Sequence, residues 1–167
     1  GNEASDSGGG FYVQNLGAGT VTGPLTIVRT TVSGNSALSG GGVVIDGFSH
    51  AAGGKPVVLI DSSTISGNIA SGSTGGGYAN KYSDSGAPGI FRMLNSTVSG
   101  NEAATDVAGF GTYGDGGVSP GQMVSQLRHS TISGNLAAPG LFVAGNQTVE
   151  ISHTLLADNA VSDLEAF

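Results

Sequence analysis

The sequence predicts an all-β solenoid, a single-stranded parallel β-helix of about 33 residues per rung, and three observations carry that prediction. One hexapeptide is written four times: "TTVSGN" at 30–35, "STISGN" at 63–68, "STVSGN" at 96–101 and "STISGN" at 130–135. The Asn that closes each copy falls at Asn35, Asn68, Asn101 and Asn135, and Asn2 and Asn159 extend the series at intervals of 33, 33, 33, 34 and 24. The flanking residues alternate apolar with Thr or Ser, and 31 of the 167 residues are glycine, which is strand and turn chemistry. A fixed period of this length marks a repeat architecture. Helical repeats share the period, but no stretch offers three turns of Ala, Leu, Glu and Lys at helical spacing, so they are excluded.

Each copy reads as the same series of elements. A glycine cluster opens it and leads into a first strand: "GGGFYVQN" (8–15), "GGGVVIDG" (40–47), "GGGYANKY" (75–82), "AGFGTYGD" (108–115) and "PGLFVAGN" (139–146). A loop of variable sequence follows, such as "GFSHAAGGK" (47–55). The second strand holds Leu25, Val58, Phe91, Ser125 and Val149 ten residues before each Asn, and Ile27, Ile60, Met93, Leu127 and Ile151 eight before. After a bend, the hexapeptide forms a third strand. Its central residues Val32, Ile65, Val98, Ile132 and Leu156 are predicted to face inward as a core ladder, because alternate strand residues face opposite sides. Their neighbours Thr31, Thr64, Thr97 and Thr131, with Ser33, Ser66, Ser99 and Ser133, then face outward as a hydroxyl ladder. The Gly–Asn pair supplies the next bend, and Asn2, Asn35, Asn68, Asn101, Asn135 and Asn159 form a structural turn ladder able to hydrogen-bond between rungs. Five to six rungs at the spacing of paired strands make a stack about 25–30 Å tall.

Composition narrows the function classes. The net charge of −7 comes from only 12 acidic and 5 basic residues, and the basic ones (Arg29, Lys55, Lys81, Arg92, Arg128) are scattered along the sequence. Nucleic acid and anionic membranes need clustered Lys or Arg, so neither is an expected partner. No apolar run approaches the ~18 residues of a membrane-spanning helix. With no cysteine, there is no disulfide framework or thiolate chemistry.

Three sets of polar residues invite a functional reading. His129 and His153 stand six residues before successive Asn positions, in a column with Arg29, Ser62 and Asn95, so they should be neighbours across one rung step. Two imidazoles can share a metal, but no third ligand accompanies them, and stacked surface side chains are the expected arrangement. A second turn column, Asn15, Asp46, Asn80, Asp115 and Asn146, offers Asp46 and Asp115 as weak cation ligands; ordinary turn chemistry is expected there, and no cofactor is called for. Hydrolysis of a glycosidic bond needs two carboxylates within about 10 Å. Asp61 has no carboxylate in its column, and Glu3 and Glu102 lie three rungs apart, about 14 Å, so no catalytic residue is assigned.

The pairing of "GGG-apolar" with "[ST]T[VI]SGNxA" resembles the right-handed parallel β-helix repeats of bacterial surface and secreted proteins, the autotransporter passenger domains and polymorphic outer-membrane proteins among them. The resemblance covers essentially the whole chain, 1–167, as one domain. It implies a right-handed coil, an extracellular or cell-surface location, and a structural or adhesive rod that displays loops. Residue 1 enters the motif at the tail of one hexapeptide and the sequence stops near the same point, so the chain reads as a segment of a longer solenoid or as a subunit that stacks head to tail into a filament. A polysaccharide or host-surface ligand fits this reading. A second reading is a carbohydrate-binding or polysaccharide-cleaving β-helix, and a third is an ice-binding Thr-x-Ser face; one fold carries all three.

Overall fold

The computed structural model describes residues 1–14, 24–47, 57–80, 89–114 and 123–166. These residues contain no helix and form a parallel β-helix. Four sheets run along the stack, and every strand pairs in parallel with its equivalent in the next rung.

The first face comprises Phe11–Gln14, Val43–Asp46, Gly77–Asn80, Phe110–Tyr113, Leu141–Ala144 and Leu164–Ala166. The second comprises Leu25–Val28, Val57–Asp61, Ile90–Leu94, Met123–Arg128 and Gln147–Ser152. The third is built by the hexapeptides, Thr31–Ser33, Thr64–Ser66, Thr97–Ser99 and Thr131–Ser133, with Leu155–Ala157 in the last rung. A fourth strip of two-residue strands, Ser36–Ala37, Ile69–Ala70 and Glu102–Ala103, follows each buried Asn. The sequence shows three strands per rung; this fourth is too short to produce an alternation of its own.

The register follows the repeat. On the third face Val32 pairs Ile65, Ile65 pairs Val98, Val98 pairs Ile132, and Ile132 pairs Leu156. On the second, Ile27, Ile60, Met93, Leu127 and Ile151 form one row and Leu25, Val58, Phe91, Ser125 and Val149 another. Rows of this kind fill the interior, where each fully buried aliphatic or aromatic side chain contributes about 1.5–3 kcal/mol. Phe91 from the second face stacks on Phe110 from the first, with ring centroids 5.3 Å apart.

Two polar ladders run inside this apolar column. At the corner after the third face, the backbone N–H and Nδ2 of Asn35 both donate to Asn68 Oδ1 (3.1 and 2.9 Å). Asn68 donates in the same way to Asn101, Asn101 to Asn135, and Asn135 to Asn159. Each Nδ2 from Asn68 onward also reaches back to a carbonyl of the preceding rung, as Asn68 does to Val32 at 3.0 Å. The ladder ends on a carboxylate, Asp163 Oδ1, which accepts from Asn159 N and Nδ2. The glycine clusters are explained by this ladder. A Cβ on Gly42 or Gly76 would lie 2.3 or 2.1 Å from a carbonyl oxygen of the next rung and about 3 Å from an Asn Nδ2.

The second ladder consists of hydroxyls at Thr30, Ser63, Ser96, Ser130 and Thr154. Each backbone N–H donates to the hydroxyl oxygen of the next rung, at 3.1 to 3.4 Å. Each hydroxyl donates to the carbonyl two residues before it.

Candidate functional site

The bend between the second and third faces is made by Arg29, Ser62, Asn95, His129 and His153, and all five adopt φ between 48° and 50°. This left-handed conformation costs a residue with a Cβ roughly 1–2 kcal/mol. The corresponding bend after the third face adopts the same conformation but spends a glycine on it, Gly34, Gly67, Gly100 and Gly134 at φ 60–63°, with Asp158 at 57° in the last rung. All five residues of the first bend are exposed, so a row of side chains stands along this edge of the stack.

The outer side of the second face continues that row. Register places Arg92 beside Gln126 and Gln126 beside Glu150, while Asp61, Leu94, Arg128 and Ser152 form the neighbouring row. Arg92 Nε donates to Gln126 Oε1 at 2.8 Å, and Gln126 Nε2 donates to Glu150 Oε2 at 2.8 Å. Arg128 Nη2 forms an ion pair with the same Glu150 oxygen at 3.1 Å. Asp61 Oδ1 accepts from Asn95 Nδ2 at 2.9 Å and from the Ser62 hydroxyl at 3.2 Å. The rings of His129 and His153 stack at 4.8 Å, 10° from parallel. Between these groups lies a shallow depression of about 470 Å³ lined by Arg92, Leu94, Asn95, Gln126, Arg128 and His129.

Residues 22 to 34 positions apart in sequence meet here because each rung returns the chain one strand spacing higher. The sequence shows the charges as scattered; stacking pairs Arg128 with Glu150 and links Arg92 to the same carboxylate through Gln126. The lining of the depression holds two guanidiniums and no carboxylate, with Glu150 and Asp61 hydrogen-bonded at its margin, so it suits polar or anionic groups better than cationic ones. Asp61 lies three rungs from Glu150, about 14 Å, beyond the reach of a paired-carboxylate hydrolysis.

The other predicted positions divide. The hydroxyls of 31 and 33 and their equivalents pair rung to rung on the outer side of the third face, and the row ends at Leu155 and Ala157. The second turn column needs correction. Asp46 pairs Gln14 on one side and Asn80 on the other, and Asn80 pairs Tyr113, which pairs Ala144. Asn146 therefore does not belong to that row, because register is counted from where each strand enters the sheet. Asp115 and Asn15 lie outside the described residues. Among the described residues no group of three or more His, Cys, Asp or Glu is placed to hold a metal ion. The internal hydroxyl ladder was missed, although the column five before each Asn contains only Ser or Thr in every copy.

No known family, curated protein or solved structure matches the chain.

Proposed function

We propose that this chain is a stiff extracellular β-solenoid, a structural and adhesive rod or filament subunit that presents variable surface along two edges. The observation that carries the reading is the division of labour between interior and edges. The interior repeats its Asn and hydroxyl ladders rung after rung. Variation collects at the connections from first to second face (15–24, 47–56, 81–89, 114–122 and the two residues 145–146) and at the left-handed bend with its polar outer strand face. A scaffold whose side chains already satisfy one another leaves its edges open to change without loss of fold.

The test is to shorten the connection at 48–54 and, separately, that at 82–88, and to compare melting with binding to immobilised collagen, fibronectin and an oligosaccharide array. The reading expects melting temperatures within a few degrees of the parent and a changed binding profile. Loss of cooperative melting would make the loops structural, and an unchanged profile would remove their display role. Electron microscopy of the parent chain at rising concentration tests the filament component: concentration-dependent rods support it, and a concentration-independent monomer contradicts it. A polysaccharide-cleaving role is separated by incubation with acidic polysaccharides, where release of unsaturated or shortened products would replace this reading.

A further inference from the structure

We propose that the outer side of the first face holds a subsite for one neutral pyranose residue of a glycan, formed by Tyr78, Tyr113 and Asp106. Register aligns Tyr78, Gly111 and Phe142 in successive rungs on that side. Gly111 brings no side chain, and the ring of Tyr113 leans back over it. A Cβ at Gly111 would lie 2.5 Å from Tyr113 Cε2 and 2.9 Å from its hydroxyl. The ring thus sits between Tyr78, edge-on at 5.8 Å and 84°, and Phe142, tilted at 5.5 Å and 37°. The Tyr113 hydroxyl donates to Asp106 Oδ2 at 2.7 Å, and Asp106 is exposed in a left-handed turn (φ 68°) just before the strand.

These groups border a cleft of about 410 Å³, whose wall includes Ser73 and Thr74. Thr74 is 1% exposed and its buried hydroxyl has no hydrogen-bond partner among the described residues. Two rings at right angles make a floor and a wall, with a carboxylate at one end and the Ser73 hydroxyl at the side, its own proton donated to Ser39 Oγ at 2.9 Å. A pyranose matches that arrangement: its C–H face packs on an aromatic ring, whose face carries negative charge, and its hydroxyls donate to the carboxylate. The volume is at the small end of ligand sites, the size for a single sugar residue. No described residue of the lining is cationic, and the one charge is negative, so uronates, sialic acids and phosphates are disfavoured. Burial, then the hydrogen bond to Asp106, hold the Tyr113 phenol in its protonated form far above the ordinary tyrosine range, so it remains a donor.

The inference rests on the adhesive reading and adds to it one glycan subsite outside the loops; it fails separately because loop shortening tests the loops' share of the binding profile while the cleft variants test this subsite alone. The whole chain is screened on an array of neutral and acidic oligosaccharides, then titrated by saturation-transfer NMR with the best neutral one and with an arginine-containing peptide. Neutral oligosaccharides are expected to bind with millimolar Kd. Gly111→Ala, which displaces only a side-chain ring, and Tyr78→Ala should each weaken binding at least tenfold, Asp106→Asn about threefold or more, and the loop-shortened chains should bind as the parent does. Melting of each variant within a few degrees of the parent shows that the loss is local. No binding of neutral sugars at 10 mM, binding unaffected by Gly111→Ala and Tyr78→Ala, or preference for acidic sugars or the arginine peptide would overturn the proposal.

Discussion

The two left-handed bends of each rung share a backbone and differ in what they carry. After the third face the bend is Gly–Asn, with the glycine outside and the Asn buried in the ladder. Between second and third faces it is any residue followed by Ser or Thr, with an exposed side chain outside and the hydroxyl ladder within. Nothing lies within 4 Å of a Cβ built on Gly34, Gly67, Gly100 or Gly134, so space does not demand glycine there; the conformation alone favours it. The other bend accepts the strain and keeps Arg, Ser, Asn and His on the surface. Left-handed residues that keep a side chain line this edge rather than the glycine edge, and strained backbone of this kind clusters at functional sites.

The comparison can be broken at the ladders first. Asn68→Leu would orphan the buried Asn35 N–H and Nδ2 and take one donor from the Val32 carbonyl, and should cost about 3–5 kcal/mol by urea denaturation. Ser63→Ala removes a hydroxyl that accepts from Thr30 N–H and donates to the Asp61 carbonyl, and should cost only about 1–2 kcal/mol. Equal losses would mean that the two corners are held in the same way.

The strand between the corners gives the next contrast. Ile65→Asp places an unpaired charge in the core and should cost several kcal/mol, whereas Thr64→Asp on the outer side should cost less than about 1 kcal/mol. Comparable melting losses would reverse the inward and outward assignment.

Tyr113 supplies a pH test on the first face. Its phenol is raised in the folded state by burial, then by Asp106, with a smaller contribution from Tyr78. A raised acid stabilises the fold fully below the unfolded tyrosine value, about 10, and that contribution is lost as pH climbs above it. The parent should therefore lose stability above pH 10 more steeply than Tyr113→Phe; identical alkaline profiles would contradict the buried, hydrogen-bonded geometry. The smallest expected effect is at the His edge. Millimolar Zn²⁺ should move the melting temperature by less than about 2 °C, since His129 and His153 stack face to face with no third ligand among the described residues. A rise of several degrees that disappears in His153→Ala would make the pair a metal site.

Much of this was legible in the sequence, and the reason is the repeat. The in-register rows of the second and third faces are legible because each rung is one copy, and one interval fixes the register of every residue in it. Legibility stopped where neighbours come from unequal insertions. The first-face strands start at varying distances from the Asn, so the row Asp46–Asn80–Tyr113–Ala144 was misaligned. The Tyr113 ring over Gly111, and the chain from Arg92 through Gln126 to Glu150, depend on side-chain directions that no periodicity records. The hydroxyl ladder was hidden differently: Ser63 and Thr64 look alike in sequence, and Ser63 lies at the bend just before the strand, where an inward polar residue is satisfied by backbone groups of its own and the neighbouring rung.

The most direct test of the two-corner account pairs Arg29→Gly with Gly67→Ala in urea denaturation. At Arg29, removing about 1–2 kcal/mol of left-handed strain outweighs the roughly 0.5–1 kcal/mol that glycine's unfolded-state freedom costs, so the variant should gain about 0.5 kcal/mol. At Gly67 the same terms run in reverse, and alanine should lose about 0.5–1 kcal/mol. Opposite signs are the predicted result. A loss of more than about 1 kcal/mol in Arg29→Gly would show that the side chain holds the bend, contradicting the view that this corner bears strain in order to present its side chains.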